Sequence, residues 1–405
     1  MDEISRYAVG LDVGTENVRA VVSTLNKEGK LTVVGYNEGK NSGMRKGIVA
    51  NLMGPAQAID KMLGEVERMS GYAIDSATLS IDGQILTTPV NGMIAAGMPD
   101  HEITNDDLDR VEQMAIAGKI PANQEILDIV PLAYRLDEQG GIKNPLGMTG
   151  SRLDFTGVVI STLTPNCANL RKAAESANVR AERLVPSVVA AAKAVLNEKQ
   201  LENGVAVVDF GAATTGVAIY EEGDLQYVGV VPLGSNNLTN DLAIVLEIDS
   251  EIAEEIKRRH VSGAFKETKD VVVKVGREEF SFSREKIDAV IRDRLLDIFD
   301  KVRKEIKRAG FDQRLPEGIV LTGGGAKLRD IDVFVKEALN AAVKIGVPEN
   351  LSGVAESIKK PEYATAVGLM MMASEGKPMQ GKSEKKAGKA GKTGGGFLKK
   401  FLQKF

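Results

Sequence analysis

YAVGLDVGTENVRAVVSTLNKEGKLTVVGY, residues 7–36, and VAVVDFGAATTGVAIYEEGDLQYVGVVPLG, residues 205–234, share one pattern. Each reads as an apolar strand ending in Asp, a glycine turn with Thr close behind, a second apolar strand, a charged turn and a third apolar strand. The recurrence, at a spacing of about two hundred residues, predicts a duplicated α/β core. In each copy the Asp, Asp12 or Asp209, ends a buried strand. A carboxylate there is costly unless something pairs with it, and a metal ion or its waters would serve. The following glycine, Gly14 or Gly211, lets the backbone turn tightly and approach a ligand. Behind it come Thr15, Glu16 and Asn17 in one copy and Ala212, Thr214 and Thr215 in the other. Their amides, with the Thr and Asn side chains, suit phosphate oxygens. Two such hairpins face to face would clamp a triphosphate and its Mg²⁺ from both sides. One turn of this kind is more commonly a hairpin without a ligand; the pairing is what points to a triphosphate.

Two further segments fit the same cleft. GIVLTGGGAKLRDI, residues 318–331, reads as strand, triple glycine and helix, which would bring Gly323, Gly324, Gly325 and Ala326 close to a ligand. AEEIKRRH, residues 253–260, is helical in pattern, and Glu254 and Lys257 share a face. Taken alone, the first is a glycine-rich bend and the second a solvated ion pair.

The composition bounds the setting. One cysteine excludes an internal disulfide, and two widely separated histidines make no metal site. No apolar run approaches the roughly 18 residues of a spanning helix, and no secretory signal is visible at the start, so a cytoplasmic address is expected. Charge is unevenly spread. Residues 376–405 hold nine Lys against one Glu, while the rest of the chain is acidic. The last nine residues, FLKKFLQKF, put Phe397, Leu398, Phe401, Leu402 and Phe405 on one helical face and Lys399, Lys400 and Lys404 around the other. Ahead of them, residues 376–396 are Lys/Gly-rich, a flexible tether with an end-to-end distance of roughly 25 Å. This is the pattern of a membrane foot for an anionic leaflet. A docked terminal helix or a basic tag is the plainer alternative.

The four cleft segments, in this order, resemble the actin-like ATPase superfamily over nearly the whole chain. In that resemblance the two hairpins are phosphate loops, the triple glycine meets the adenosine, and Glu254 and Lys257 serve adenine and ribose. Residues 185–196 and 362–372 look like its two connecting helices. Ala190, Ala191, Ala192, Ala364, Ala366 and Gly368 would let these helices cross closely at a hinge. Within the superfamily, residues 134–155, YRLDEQGGIKNPLGMTGSRLDF, carry G-I-x-x-P-x-G-M-x-G-x-R-L, at Gly141, Ile142, Pro145, Gly147, Met148, Gly150, Arg152 and Leu153. This closely resembles the FtsA family of bacterial cell-division proteins, as do residues 343–356 and the foot.

The resemblance implies an actin-like two-domain α/β fold with duplicated ribonuclease-H-like cores, the FtsA-type extra subdomain, and a C-terminal linker plus amphipathic helix. The expected divisions are a first-half core (1–83, with 165–200 and 355–375), the extra subdomain (84–164), a second-half core (201–240, with 309–354), an outer subdomain (241–308), the linker (376–396) and the membrane helix (397–405). The implied protein binds ATP with Mg²⁺, the ion reached by Asp12 and Asp209 through water, and polymerises head to tail. It would tether FtsZ filaments to the cytoplasmic side of the cell membrane at the septum and recruit other divisome proteins, with no nucleic-acid partner. The FtsZ C-terminal tail would meet the helix at residues 283–308, where Lys286 and Arg294 align with the family's basic contacts. Arg294 interrupts the apolar stripe Ile287, Val290, Ile291, Ile298, Val302 and Ile306, which also suits a snorkelling Arg. One departure matters. The second loop has Ala212, Ala213 and Gly216 where a polar or acidic group would orient an attacking water, so slow hydrolysis is expected at most. A PilM-like pilus-assembly protein and, further off, a sugar-kinase-type phosphotransferase are the alternatives. Neither explains the foot.

Overall fold

The structure is a computed structural model and describes residues 7–25, 31–96, 100–275, 278–349 and 351–375. The membrane foot, its tether and the charged turn at residues 26–30 lie outside the described residues.

Both repeats fold as antiparallel meanders. In the first half, strands Tyr7–Val13, Asn17–Leu25 and Leu31–Lys40 pair in order. Ser76–Ile81 then joins Tyr7–Val13 in parallel, and Arg180–Pro186 joins Ser76–Ile81 in parallel. The second half repeats this with Val205–Phe210, Thr215–Glu221 and Asp224–Val231, followed by the parallel strands Ile319–Thr322 and Val343–Ile345. Parallel strands require crossovers and end buried on both faces. Val205, Ala206, Val207 and Val208 are accordingly all solvent-inaccessible. This is a duplicated ribonuclease-H-like core, as the repeat predicts.

Helices Ser187–Val195 and Ala364–Glu375 lie between the two sheets and cross through their small residues. A Cβ built on Gly368 would stand 1.7 Å from the Ala190 carbonyl oxygen, and one on Gly10 2.1 Å from that of Ala366. The backbones touch, so nothing larger than glycine fits at 368.

The extra subdomain is a sheet of Ile85–Ala95, Arg152–Leu163, Gln124–Leu136 and Gln139–Ile142 covered by helix Asn105–Ile116. Thr104 caps that helix in a reciprocal box with Asp107, the polar start that the sequence shows. The sheet is keyed to the second half. The Thr87 hydroxyl donates to the Val228 carbonyl at 2.7 Å and accepts the Val228 amide at 2.8 Å.

The outer subdomain carries helices Ser235–Leu246 and Ser250–His260, the hairpin Val271–Val275 and Glu278–Phe282, and the long helix Arg284–Arg308. Ser283 caps the last of these, and its stripe is buried except for the half-buried Val290; Leu295 and Phe299 extend it. Among the described residues no helix is long and apolar enough to cross a membrane.

One local expectation needs correcting. The triple glycine leads into a single 3₁₀ turn, Gly324–Lys327, and the α-helix begins only at Ile331. Gly323 at φ 86° swings the chain back against the neighbouring strand before a regular helix can start.

Candidate functional site

The two Asp-bearing turns have the same internal geometry. The Gly14 amide donates to the Asn17 carbonyl at 3.1 Å, and the Gly211 amide donates to that of Thr214 at 3.0 Å. The tip amides of such turns suit anionic oxygens. The carboxylates differ in their support. Asp12 lies opposite Arg19 in the hairpin register; that guanidinium stands 3.9 Å away, and the Ser80 hydroxyl donates to Asp12 at 2.9 Å. Asp209 lies opposite Gly216 and, among the described residues, takes a side-chain hydrogen bond from the Thr365 hydroxyl of the crossing helix alone, at 3.2 Å. An acidic side chain at 216 has no room, since a Cβ there would lie 2.8 Å from Val188 Cβ. The departure noted in the second loop thus belongs to the packing of the hinge.

Burial raises Asp12 above the usual carboxylate range, with Arg19 and Ser80 opposing. Asp209 is pushed up to about 6 by burial and by the charge of Asp12. A third carboxylate, which the sequence reading missed, is Asp82. Burial and the charges of Asp209 and Asp12 push it up to about 8. Its signal was there: Ser80 and Asp82, two apart at the end of a strand, fall on one side of it, and Asp-Gly follows as at a ligand turn. Beside it stands the buried Ser187 hydroxyl, whose hydrogen bond opposes that rise. Three dehydrated, mutually repelling carboxylates make a place that a cation and its waters would relieve.

The other predicted residues converge here. Glu16 pairs with Lys40 at 2.6 Å. Burial would raise Glu16, but Lys40, then Lys257 and Arg19, hold it below the usual range. Lys257 acts from across the cleft, so the helix Ser250–His260 faces the first turn. Lys257 itself is buried, 2.6 Å from Glu254 and 2.9 Å from the Thr239 hydroxyl. The triple-glycine turn abuts the second hairpin: a Cβ on Gly323 would meet Asp209 Oδ1, one on Gly325 would lie 2.5 Å from the Phe210 ring, and Gly324 is open. Backbone, not side chain, lines that wall. The partner-binding candidates stand apart on Arg284–Arg308. Lys286 is exposed. Arg294 has a structural reason for its place in the stripe, since it forks onto Asp241 at 2.6 and 3.2 Å and reaches Asp297 at 2.9 Å.

Comparison with known proteins fits this geometry. Residues 206–368 match the family described as cell division protein FtsA, and residues 83–161 match the SHS2 domain inserted in FtsA. The cell division protein FtsA of Pseudomonas aeruginosa is 33% identical over 90% of this chain and 89% of its own. That of Escherichia coli is 30% identical over 91% of each. The chain belongs to the FtsA family. It is a cell-division protein of actin-like fold, with the FtsA insertion as its extra subdomain. Solved structures extend the likeness at the level of fold. A PilM–PilN type IV pilus biogenesis complex superposes with a TM-score of 0.67 at 19% identity, covering 91% of this chain and 98% of that one. MreB5 of Spiroplasma citri, in a structure bound to ADP, gives 0.54 at 15%, covering 91% and 96%.

Proposed function

We propose that this FtsA-family chain is an ATP-binding cell-division adaptor that polymerises and ties FtsZ filaments to the cytoplasmic face of the cell membrane at the septum. The observation that carries the nucleotide part is the pair of matched glycine turns with Asp12 and Asp209, closed over by Lys257 and the backbone of Gly323, Gly324 and Gly325. MreB5, of the same fold, has been solved with ADP and with AMPPNP. Among the described residues no ready-made cage of carboxylate, imidazole or thiolate groups exists for a metal. Mg²⁺ would therefore arrive with the phosphates and keep most of its water, with Asp12 and Asp209 as outer contacts. The bound ion supplies charge neutralisation to the triphosphate. The chain's own residues bind and orient it through Thr15, Asn17, Thr214 and the turn amides; the buried Thr215 hydroxyl, expected from the sequence to help, donates instead to the Leu233 carbonyl at 2.8 Å. Hydrolysis is slow in this reading, because 212, 213 and 216 offer no group to orient water.

The partner reading rests on the family and on an exposed cation, Lys286, two turns before the held guanidinium of Arg294 on the same helix. An acidic, apolar-rich FtsZ tail suits that helix face. Later divisome proteins and anionic lipids are the further partners, and a PilM-like role is disfavoured by relatives that are 30–33% identical and all cell-division proteins. Calorimetry with an FtsZ tail peptide tests this. Lys286→Glu should weaken binding by a few kcal/mol if the contact is desolvated; unchanged affinity would place the tail elsewhere. Lys286 is the informative position, because reversal at 294 would also set a Glu beside Asp241 and Asp297.

A further inference from the structure

Between the third strand of the first meander and the first helix, the chain makes a small hairpin, Met44–Arg45 with Ile48–Val49. Its base is pinned by the Ala50 and Asn51 amides, which donate to the Gly43 carbonyl at 2.8 and 2.9 Å. Its tip is a two-residue turn, with Lys46 at φ 49° and Gly47 at φ 76°, as a tight hairpin requires. The turn packs against the cleft. The Gly47 amide donates to the Thr15 hydroxyl of the first turn at 3.3 Å. A Cβ on Gly47 would lie 2.7 Å from Asp82 Cβ and 3.2 Å from the Thr214 methyl of the second turn. One buried glycine thus bridges both phosphate turns, beside a shallow recess lined by Met44, Ser80, Asp82 and Asn166 among others.

Charge accounting makes the tip stand out. The cleft presents Asp12, Asp82, Asp209 and Glu16. The cations around it are already engaged, Arg19 with Glu38, Lys40 with Glu16, and Lys257 with Glu254. Neither turn contains Lys or Arg. Arg45 and Lys46 are both exposed, and among the described residues neither has an ion-pair partner, although Asp82 packs against Gly47 next to them.

We propose that the turn made by Arg45, Lys46 and Gly47 is a cationic clasp that closes over the outer phosphates of the bound nucleotide. The inference rests on the nucleotide reading above. Gly47 sets the height of the turn over both phosphate turns, and Arg45 and Lys46 supply the positive charge that the acidic cleft lacks. The clasp distinguishes a nucleotide carrying β- and γ-phosphates from one that does not.

The test titrates ATP and AMP, each with Mg²⁺, into the full-length chain and into a variant carrying Arg45→Ala and Lys46→Gly. Glycine at 46 keeps the positive φ, so charge is removed without new strain. ATP affinity should fall at least about tenfold, the least expected for losing one charge-assisted contact, and further if both cations engage, while AMP affinity stays within about twofold. Equal losses for both nucleotides, or no loss for ATP, would overturn the clasp while the nucleotide site stands. If the unaltered chain binds neither nucleotide, the underlying reading fails and the clasp with it.

Discussion

Gly368→Ala adds one methyl group at the hinge and tests the link between packing and site. The built Cβ stands 1.7 Å from the Ala190 carbonyl oxygen and 2.4 Å from its carbon. A carbon–oxygen contact settles near 3.3 Å, so the two helices must part by about 1.5 Å. The obstacle is backbone, and no rotamer change relieves it. In an open helix Gly→Ala stabilises by about 1 kcal/mol. Forcing a methyl into a packed core costs roughly 1–3 kcal/mol, with the upper end expected where backbone must move, so the net is a loss of about 2 kcal/mol. At about 1–2 °C per kcal/mol for a chain of this length, Tm should drop by about 2–4 °C. Gly64→Ala is the control, because a Cβ there meets nothing within 4 Å in helix Met53–Ser70; it should raise Tm slightly. The effect should reach the site as well. Thr365, on the displaced helix, holds Asp209, and Gly10, two residues before Asp12, packs on the same helix. Calorimetric melts together with fluorescent ATP titrations give both readouts. A Gly368→Ala chain that melts and binds ATP as the unaltered one does would refute the tight crossing and its coupling to the cleft.

Three other outcomes are expected. Mg-ATP at a hundred times its Kd should add about 2.7 kcal/mol of stability, and Asp12→Asn or Asp209→Asn should remove most of that gain in a thermal-shift assay; a melt insensitive to millimolar Mg-ATP would sink the nucleotide site. Asp82 has its folded pKa pushed up to about 8, so between the ordinary carboxylate value near 4 and about 8 the folded state holds a proton that the unfolded chain releases. Its penalty therefore grows as pH rises and is complete above about 8: Asp82→Asn should melt higher than the unaltered chain at pH 8.5 in EDTA, with the gap closing toward pH 4, and a gap that widens on acidification would contradict the assignment. For the foot, five apolar side chains half-buried at an interface give roughly 4–8 kcal/mol, and three Lys add about 1 kcal/mol each at an anionic surface, against about 9 kcal/mol or more of backbone ordering. Phe401→Glu should thus release the protein in liposome sedimentation, and an assembly-deficient variant with an intact foot should also bind poorly if many feet act together.

The sequence by itself determined what is local or periodic. The duplicated meander follows from strand patterns and Asp-x-Gly turns, each written within about thirty residues. The amphipathic foot is also a sequence statement alone, since it lies outside the described residues. Tertiary structure decided what depends on segments far apart in the chain meeting. Asp82 becomes the third carboxylate only because its strand lies between Tyr7–Val13 and Arg180–Pro186. Arg294 is fixed by Asp241, 53 residues away, where periodicity showed only a cation out of place. Gly216 reads as a missing polar group until Val188 is seen against it. The tip at Lys46 and Gly47 reads as an ordinary turn until it is found touching both halves. Period and turn chemistry are set by neighbours along the backbone, whereas a carboxylate's protonation, a guanidinium's partner and the space for a methyl group are set by whatever the fold brings within a few ångströms.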